Sequence, residues 1–218
     1  MGTITRSFAN NITTSGVLLP ASLTNNSIAN VTSYNAAVAT GGMVLISSQT
    51  ASASASISFT TGISSTYKEY QFYFINVRPA TDTADFQFNM STDSGSNYNV
   101  TKTTTWFGSY HDEADTSTGL SYDTGNDLAQ STAFQTLMSY NGNAADKSYS
   151  GYLQLFNPAS TTYVKHFLSS GSNVGANDYA NNPFVAGYGN TTSAVNAIQF
   201  KYSSGNIADG TILLFGIL

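Results

Sequence analysis

Five carboxylates and an imidazole fall within one stretch of 17 residues: His111, Asp112, Glu113 and Asp115, then Asp123 and Asp127. Two carboxylates held at a suitable separation can act as acid and base on a glycosidic bond. Oxygen ligands at this density can also hold Ca2+. The spacing departs from an EF-hand loop, which needs ligands at alternate positions, a central Gly and a terminal Glu. The plainer reading is a solvated acidic loop between strands. Asp112, Glu113, Asp115, Asp123 and Asp127 therefore stand as the Ca2+ candidate set of a chain expected to need no metal and no cofactor. His166, in the run Tyr163 to Leu168, has no second histidine nearby and reads as a packing or surface residue. A Gly-x-Ser-x-Gly elbow is absent, as is a strand-turn-helix to carry one. No catalytic residue is assigned, and the chain is not expected to be an enzyme. Trp106, Phe107 and Tyr110 could stack on a sugar ring, with Trp106 and Tyr110 as the candidate glycan contacts, or they could belong to the core.

The composition narrows the partners. Of 218 residues only 9% are charged, against roughly 25% in an ordinary soluble domain. Polarity comes from Ser, Thr, Asn and Gly, a neutral hydrogen-bonding surface with little long-range field. The net charge is −5, and the seven basic residues, Arg6, Lys68, Arg78, Lys102, Lys147, Lys165 and Lys201, are scattered. Phosphate binding needs such residues clustered, so nucleic acid is not an expected partner. There is no cysteine, which excludes disulfides and thiolate chemistry. The first residues lack a positive segment followed by an apolar one, so synthesis in a cytoplasm is expected. No apolar run approaches the roughly 18–20 residues that span a bilayer, and membrane insertion is not expected.

The elements that would position these residues are strands. Residues 1–42 are rich in Asn, Thr, Ser and Ala, with isolated apolar positions at Ile4, Phe8, Ile12, Val17, Leu18, Leu19, Leu23 and Ile28. Such a segment buries too little surface by itself to offset its ordering entropy. It reads as an extended N-terminal arm that anchors on another subunit, with a short helix near 21–30. From residue 43 to 218 the apolar period is two. Ile57 and Phe59 alternate with Ser; Tyr70, Phe72 and Phe74 form one face of a strand, and Tyr73, Ile75 and Val77 the other. Phe86, Phe88 and Met90 alternate with polar residues, and further strands are predicted over 97–107, 131–139, 149–157, 162–169, 195–203 and 211–217. About ten short strands separated by Gly, Asn, Asp and Ser turns predict an all-β fold, a jelly-roll-like antiparallel β-sandwich. A strand aromatic on both faces is buried on both, as a central strand or against another subunit. With 14 Tyr and 13 Phe, aromatic packing is the expected stabiliser, and homo-oligomerisation, as a homotrimer, is expected.

Two resemblances follow from longer runs. Ser91-Thr92-Asp93-Ser94-Gly95-Ser96-Asn97-Tyr98 resembles the Asp-box, a hairpin motif of sialidase-like and other β proteins, with Tyr98 where Trp or Phe is commoner. The resemblance implies a structural turn: Asp93 bonding amides, Gly95 at positive φ, and Tyr98 packed beneath. The opening run Thr3 to Val17, the run Tyr67-Lys68-Glu69-Tyr70-Gln71-Phe72-Tyr73-Phe74 with Pro79-Ala80-Thr81-Asp82, and the ending Ser203 to Ile212 are similar to small virion proteins of marine tailed bacteriophages. That resemblance implies a place in the virion, exposed on the particle surface, and it implies no catalytic residue. The expectation is a head decoration or appendage protein anchored by its arm on capsid, portal or tail proteins. A tail or head fibre tip that binds host surface glycan is the alternative. A glycan-cleaving enzyme using the 111–127 carboxylates is a third reading.

Overall fold

The computed structural model describes residues 42–218 and, before them, the backbone of two short strands, β1 (Ile12–Thr13) and β2 (Gly16–Val17). These pair antiparallel, Ile12 opposite Val17. The other arm positions, Ile4, Phe8, Leu18, Leu19, Leu23 and Ile28, lie outside the described residues, as does the helix expected near 21–30.

Past Gly42 the chain builds β3 (Met43–Thr50), β4 (Ile57–Phe59), β5 (Glu69–Pro79), β6 (Ala84–Ser91), β7 (Lys102–Asp112), β8 (Thr118–Tyr122) and β9 (Gln135–Asn141). Then come β10 (Tyr149–Phe156), β11 (Lys165–Val174), β12 (Tyr179–Gly189), β13 (Ala197–Tyr202) and β14 (Ile207–Ile217). They form two antiparallel sheets, one ordered β3-β14-β5-β10-β11-β12-β7-β8 and one ordered β4-β13-β6-β9. The chain passes back and forth between them: β3, β5, β7–β8, β10–β12 and β14 lie in the larger, β4, β6, β9 and β13 in the smaller. The result is an antiparallel β-sandwich, as the strand spacing predicts.

Period-two alternation places the core. Tyr70, Phe72 and Phe74 of β5 meet Phe86, Phe88 and Met90 of β6 and Ile198, Phe200 and Tyr202 of β13, all buried. Phe200 is the hub: the rings of Phe59, Phe72, Phe74, Phe86 and Phe88 lie 5.1–6.4 Å from its own. Such pairs add about 0.5–1.5 kcal/mol each beyond area burial.

The structure corrects several expectations. Val77 does not share a face with Tyr73 and Ile75. Asn76 takes φ +51°, and pairing with β10 jumps from Phe74 opposite Gly151 to Val77 opposite Tyr149. This bulge returns Val77 to the core, fully buried, while Ile75 stays 44% exposed. The outer face of β5 is accordingly half-exposed within one subunit rather than buried. The strand predicted over 97–107 runs Lys102–Asp112, and that over 162–169 runs Lys165–Val174. Strands β8 and β12 were not expected. In β12 the pairing with β11 skips Pro183, which has no N–H to give, and Asn182 Nδ2 donates to the Gly171 carbonyl there (2.6 Å).

Candidate functional site

Two surfaces of the sandwich could carry function. The first is the outer face of the larger sheet. Register places Leu213, Tyr73, Tyr152, Ser170, Phe184, Phe107 and Tyr122 in one row across seven strands. The next row reads Leu45, Phe215, Gln71, Gln154, Leu168, Ala186 and Thr105, and the third Met43, Ile217, Glu69, Phe156, His166, Tyr188 and Thr103. In these three rows Glu69 is the one carboxylate and there is no Lys or Arg. Phe107 and Phe184 stack at 5.6 Å and remain 43% and 45% exposed. A shallow groove of about 420 Å3 crosses this face, lined by Phe156, His166, Leu168, Ala186 and Tyr188 among others. His166 lies 6.2 Å from the Tyr188 ring, exposed, as a surface residue of that face.

The second surface arises from the mismatch of eight strands against four. The smaller sheet reaches over β11 and β12 with its edge strand β9. Between the end of β9 and the far ends of β7, β8 and β12 the layers part, and a cleft of about 230 Å3 opens. Trp106, Gly108 and Tyr110 follow one another along the inward side of β7 and all line it. Trp106 is 8% exposed, so it is a core residue at the cleft rather than an exposed platform. Its Nε1 finds no acceptor among the described residues. Tyr110 is 36% exposed and lies parallel to Tyr179, centroids 5.5 Å apart. On its other side a Cβ at Gly119 would come within 2.7 Å of the Tyr110 ring, so only glycine there leaves the tyrosine its place. Across the cleft stands Tyr140, 64% exposed, at φ +53°. Ser121, Asp123, Ser139, Asn181 and Asn182 supply polar groups.

Elsewhere between the sheets the inward polar side chains are satisfied by amides and carbonyls instead of charges. Lys102, fully buried, donates from Nζ to Asn89 Oδ1 (2.6 Å) and the Val100 carbonyl (2.8 Å). With no carboxylate beside it, burial pushes its pKa down to about 7. Lys165 likewise bonds the carbonyls of Ser160 and Tyr163, and burial lowers its pKa. Asn141, Asn173 and Asn181 form a ladder from β9 to β12: Asn173 Nδ2 donates to Asn141 Oδ1 (3.1 Å) and Asn181 Nδ2 to Asn173 Oδ1 (2.8 Å).

The carboxylates of 111–127 are dispersed into turn chemistry. Asp112 accepts from the Thr116 hydroxyl and from the amides of Thr116 and Ser117, which holds its carboxyl below the usual range. Asp123 accepts from the Gly125 amide and Asn126 Nδ2, Asp127 from the Tyr122 hydroxyl, and Asp115 lies 3.2 Å from His111 Nε2. Glu113 is exposed. No three acidic or histidine side chains gather into a metal-holding group among the described residues. The turn at 91–98 has the predicted form. Asp93 Oδ1 accepts from the Asn97 amide (2.8 Å), Gly95 sits at φ +88°, and Tyr98 packs under Gly95.

Of the two aromatics singled out in sequence, Trp106 and Tyr110, the structure brings both to one cleft. It adds Tyr140, Asn181 and Asn182, which sequence reasoning missed. The signal was slight: an aromatic before the Asn141-Gly142-Asn143 turn, and a paired amide before Pro183. No family model, curated protein or solved structure matches the chain.

Proposed function

We propose that this chain is a non-enzymatic structural protein of a tailed-phage particle, a head decoration or appendage that assembles as a homotrimer through the outer face of its larger sheet, with residues 1–42 as the anchoring arm. The observation that carries the reading is that face. Eight strands about 4.8 Å apart span roughly 35 Å, and about eight residues per strand span roughly 26 Å. The product is about 900 Å2 per copy, close to the roughly 800 Å2 per partner of a standard specific interface. Three rows with one carboxylate and no Lys or Arg carry no strong charge pattern for a differently charged partner to match. In a cyclic trimer one part of this face meets a different part of the next copy, and because the whole face is neutral and aromatic either part is covered at little desolvation cost. The resemblance of the runs at Thr3–Val17, Tyr67–Asp82 and Ser203–Ile212 to phage virion proteins supports the location.

Light scattering and native mass spectrometry on the full chain test the assembly. A trimer is expected, and the double substitution Leu168→Asp with Phe184→Asp should give monomers whose far-ultraviolet circular dichroism is unchanged. A parent chain that stays monomeric, or an assembly indifferent to the two aspartates, would overturn the reading. The arm is tested in the full chain by Phe8→Ser with Leu18→Ser, which should remain trimeric and lose incorporation into particles.

A further inference from the structure

We infer that the cleft between the end of β9 and the far ends of β7, β8 and β12 is a binding site for one ring of a neutral saccharide. The inference does not rest on the assembly reading. Its first support is composition. Tyr140, 64% exposed, offers an open ring on one wall, the exposed edge of Tyr110 and the rim of Trp106 stand on the other, and Ser121, Ser139 and Asn181 place polar groups between them. A sugar ring has that same division: C–H faces that pack on aromatic rings and an equator of hydroxyls that both donate and accept. No Lys or Arg lines the cleft, so a phosphate, sulfate or carboxylate would enter without a counter-charge. The one acidic residue, Asp123, already accepts from Gly125 and Asn126. At about 230 Å3 the space lies below the range of roughly 300–1,000 Å3 of drug-sized ligand sites, which limits the occupant to a single ring of a longer chain.

The second support is rigidity at a cost. A tyrosine at positive φ is a backbone outlier, and such strain costs on the order of 1–3 kcal/mol. Tyr140 is held there from both sides: its N–H donates to Asp85 Oδ1 (3.1 Å) and its carbonyl accepts from the Ala176 amide (3.0 Å). Tyr110 is fixed in turn between Tyr179 and the bare backbone of Gly119. Two aromatic rims are thus preorganised on a paired scaffold, which removes the ordering cost that a mobile loop would pay on binding.

Trp106 is the single tryptophan of the chain, so its fluorescence reports on the cleft without labelling. The full chain is titrated with neutral oligosaccharides of glucose, galactose, mannose and N-acetylglucosamine, and with sulfated and sialylated ones. A saturable change in Trp106 emission with at least one neutral series, and none with the anionic ones, is expected. Tyr140→Ala and Tyr110→Ala should each weaken that binding about tenfold or more, with thermal unfolding showing that both remain folded. His166→Ala, on the opposite face of the sheet, should leave it unchanged. Absence of any saturable response, preference for anionic sugars, or binding indifferent to both tyrosines would overturn the inference.

Discussion

The larger sheet has one half roofed by the smaller sheet and one half that outruns it, and the two halves solve burial differently. Under the roof, inward positions are Phe59, Phe72, Phe74, Phe86, Phe88 and Phe200, a cluster whose cohesion is dispersion and the hydrophobic effect. Toward β7, β11 and the roof's edge strand β9 the inward positions turn to Lys102, Thr104, Asn173, Gln135 and Asn141, equally buried but held by hydrogen bonds. The difference teaches that width decides chemistry in this fold. Where two sheets face each other, apolar side chains fill the gap. Where one sheet ends, amides bridge to it and a cleft remains.

The contrast can be broken hardest at its apolar end. Phe200→Ala removes the ring that five others touch, and chemical denaturation should record a loss of about 3–5 kcal/mol. A loss under about 1 kcal/mol would mean that the cluster is not the main source of stability.

At the polar end the sharpest lever is pH. Lys102 has a folded pKa of about 7 against about 10.4 for a free lysine. Between those values the unfolded chain binds a proton that the folded chain has released, so stability should climb as pH rises from 7 to 10. Burial holds the hydroxyls of Tyr149 and Tyr202 protonated well past 10, so above that pH the unfolded chain loses protons the folded one keeps, and stability should fall again. The climb is on the order of 2–4 kcal/mol. Lys102→Met should flatten most of it and leave the protein equally or more stable at pH 7, since a buried cation without a counter-charge is replaced by a chain of similar volume. A climb that survives in this variant would assign it elsewhere. Asn173→Leu, which cuts the amide ladder between β9 and β12, should cost about 1–3 kcal/mol and be insensitive to pH over the same window. Smallest in stability is Gly119→Ala, whose methyl group meets the Tyr110 ring. Its melting temperature should shift by only a few degrees, while nuclear magnetic resonance should show the Tyr110 ring displaced.

Much of the roofed half was legible in the sequence. Tyr70, Phe72, Phe74, Phe86, Phe88, Leu153, Leu155, Ile198 and Phe200 recur at every second position of their strands, and all are buried. The bulge at Asn76 was not legible, because one extra residue leaves no mark in composition while it reverses the face of everything after it. The other half was harder for a physical reason. β12 carries Asn181, Asn182, Pro183, Gly187 and Gly189, residues that read as turn, yet it is an interior strand because Asn182 supplies the bond that Pro183 cannot. β8 exposes the apolar residues Leu120 and Tyr122 on its outer face, and its inward side meets a cleft rather than a core, so no alternation announces it. The acidic run at 111–127 was visible as a cluster in sequence and scatters in space: Asp112 and Asp123 tighten their own turns, Asp115 and Asp127 turn to His111 and Tyr122, and Glu113 faces outward.

The position of β14 has a consequence for how the molecule comes into being. β14 lies between β3 and β5, two strands made long before it. During synthesis β3 and β5 therefore wait with open edges until β14 leaves the ribosome, and neither can pair as it finally will. Open edges are where chains join wrongly, and closure that depends on contacts far apart in sequence is slow. Once Ile207–Ile217 has slotted in, the same topology works in reverse. Withdrawing that strand means breaking its ladders to two neighbours at once, so the folded protein should be lost slowly even where its equilibrium stability is modest.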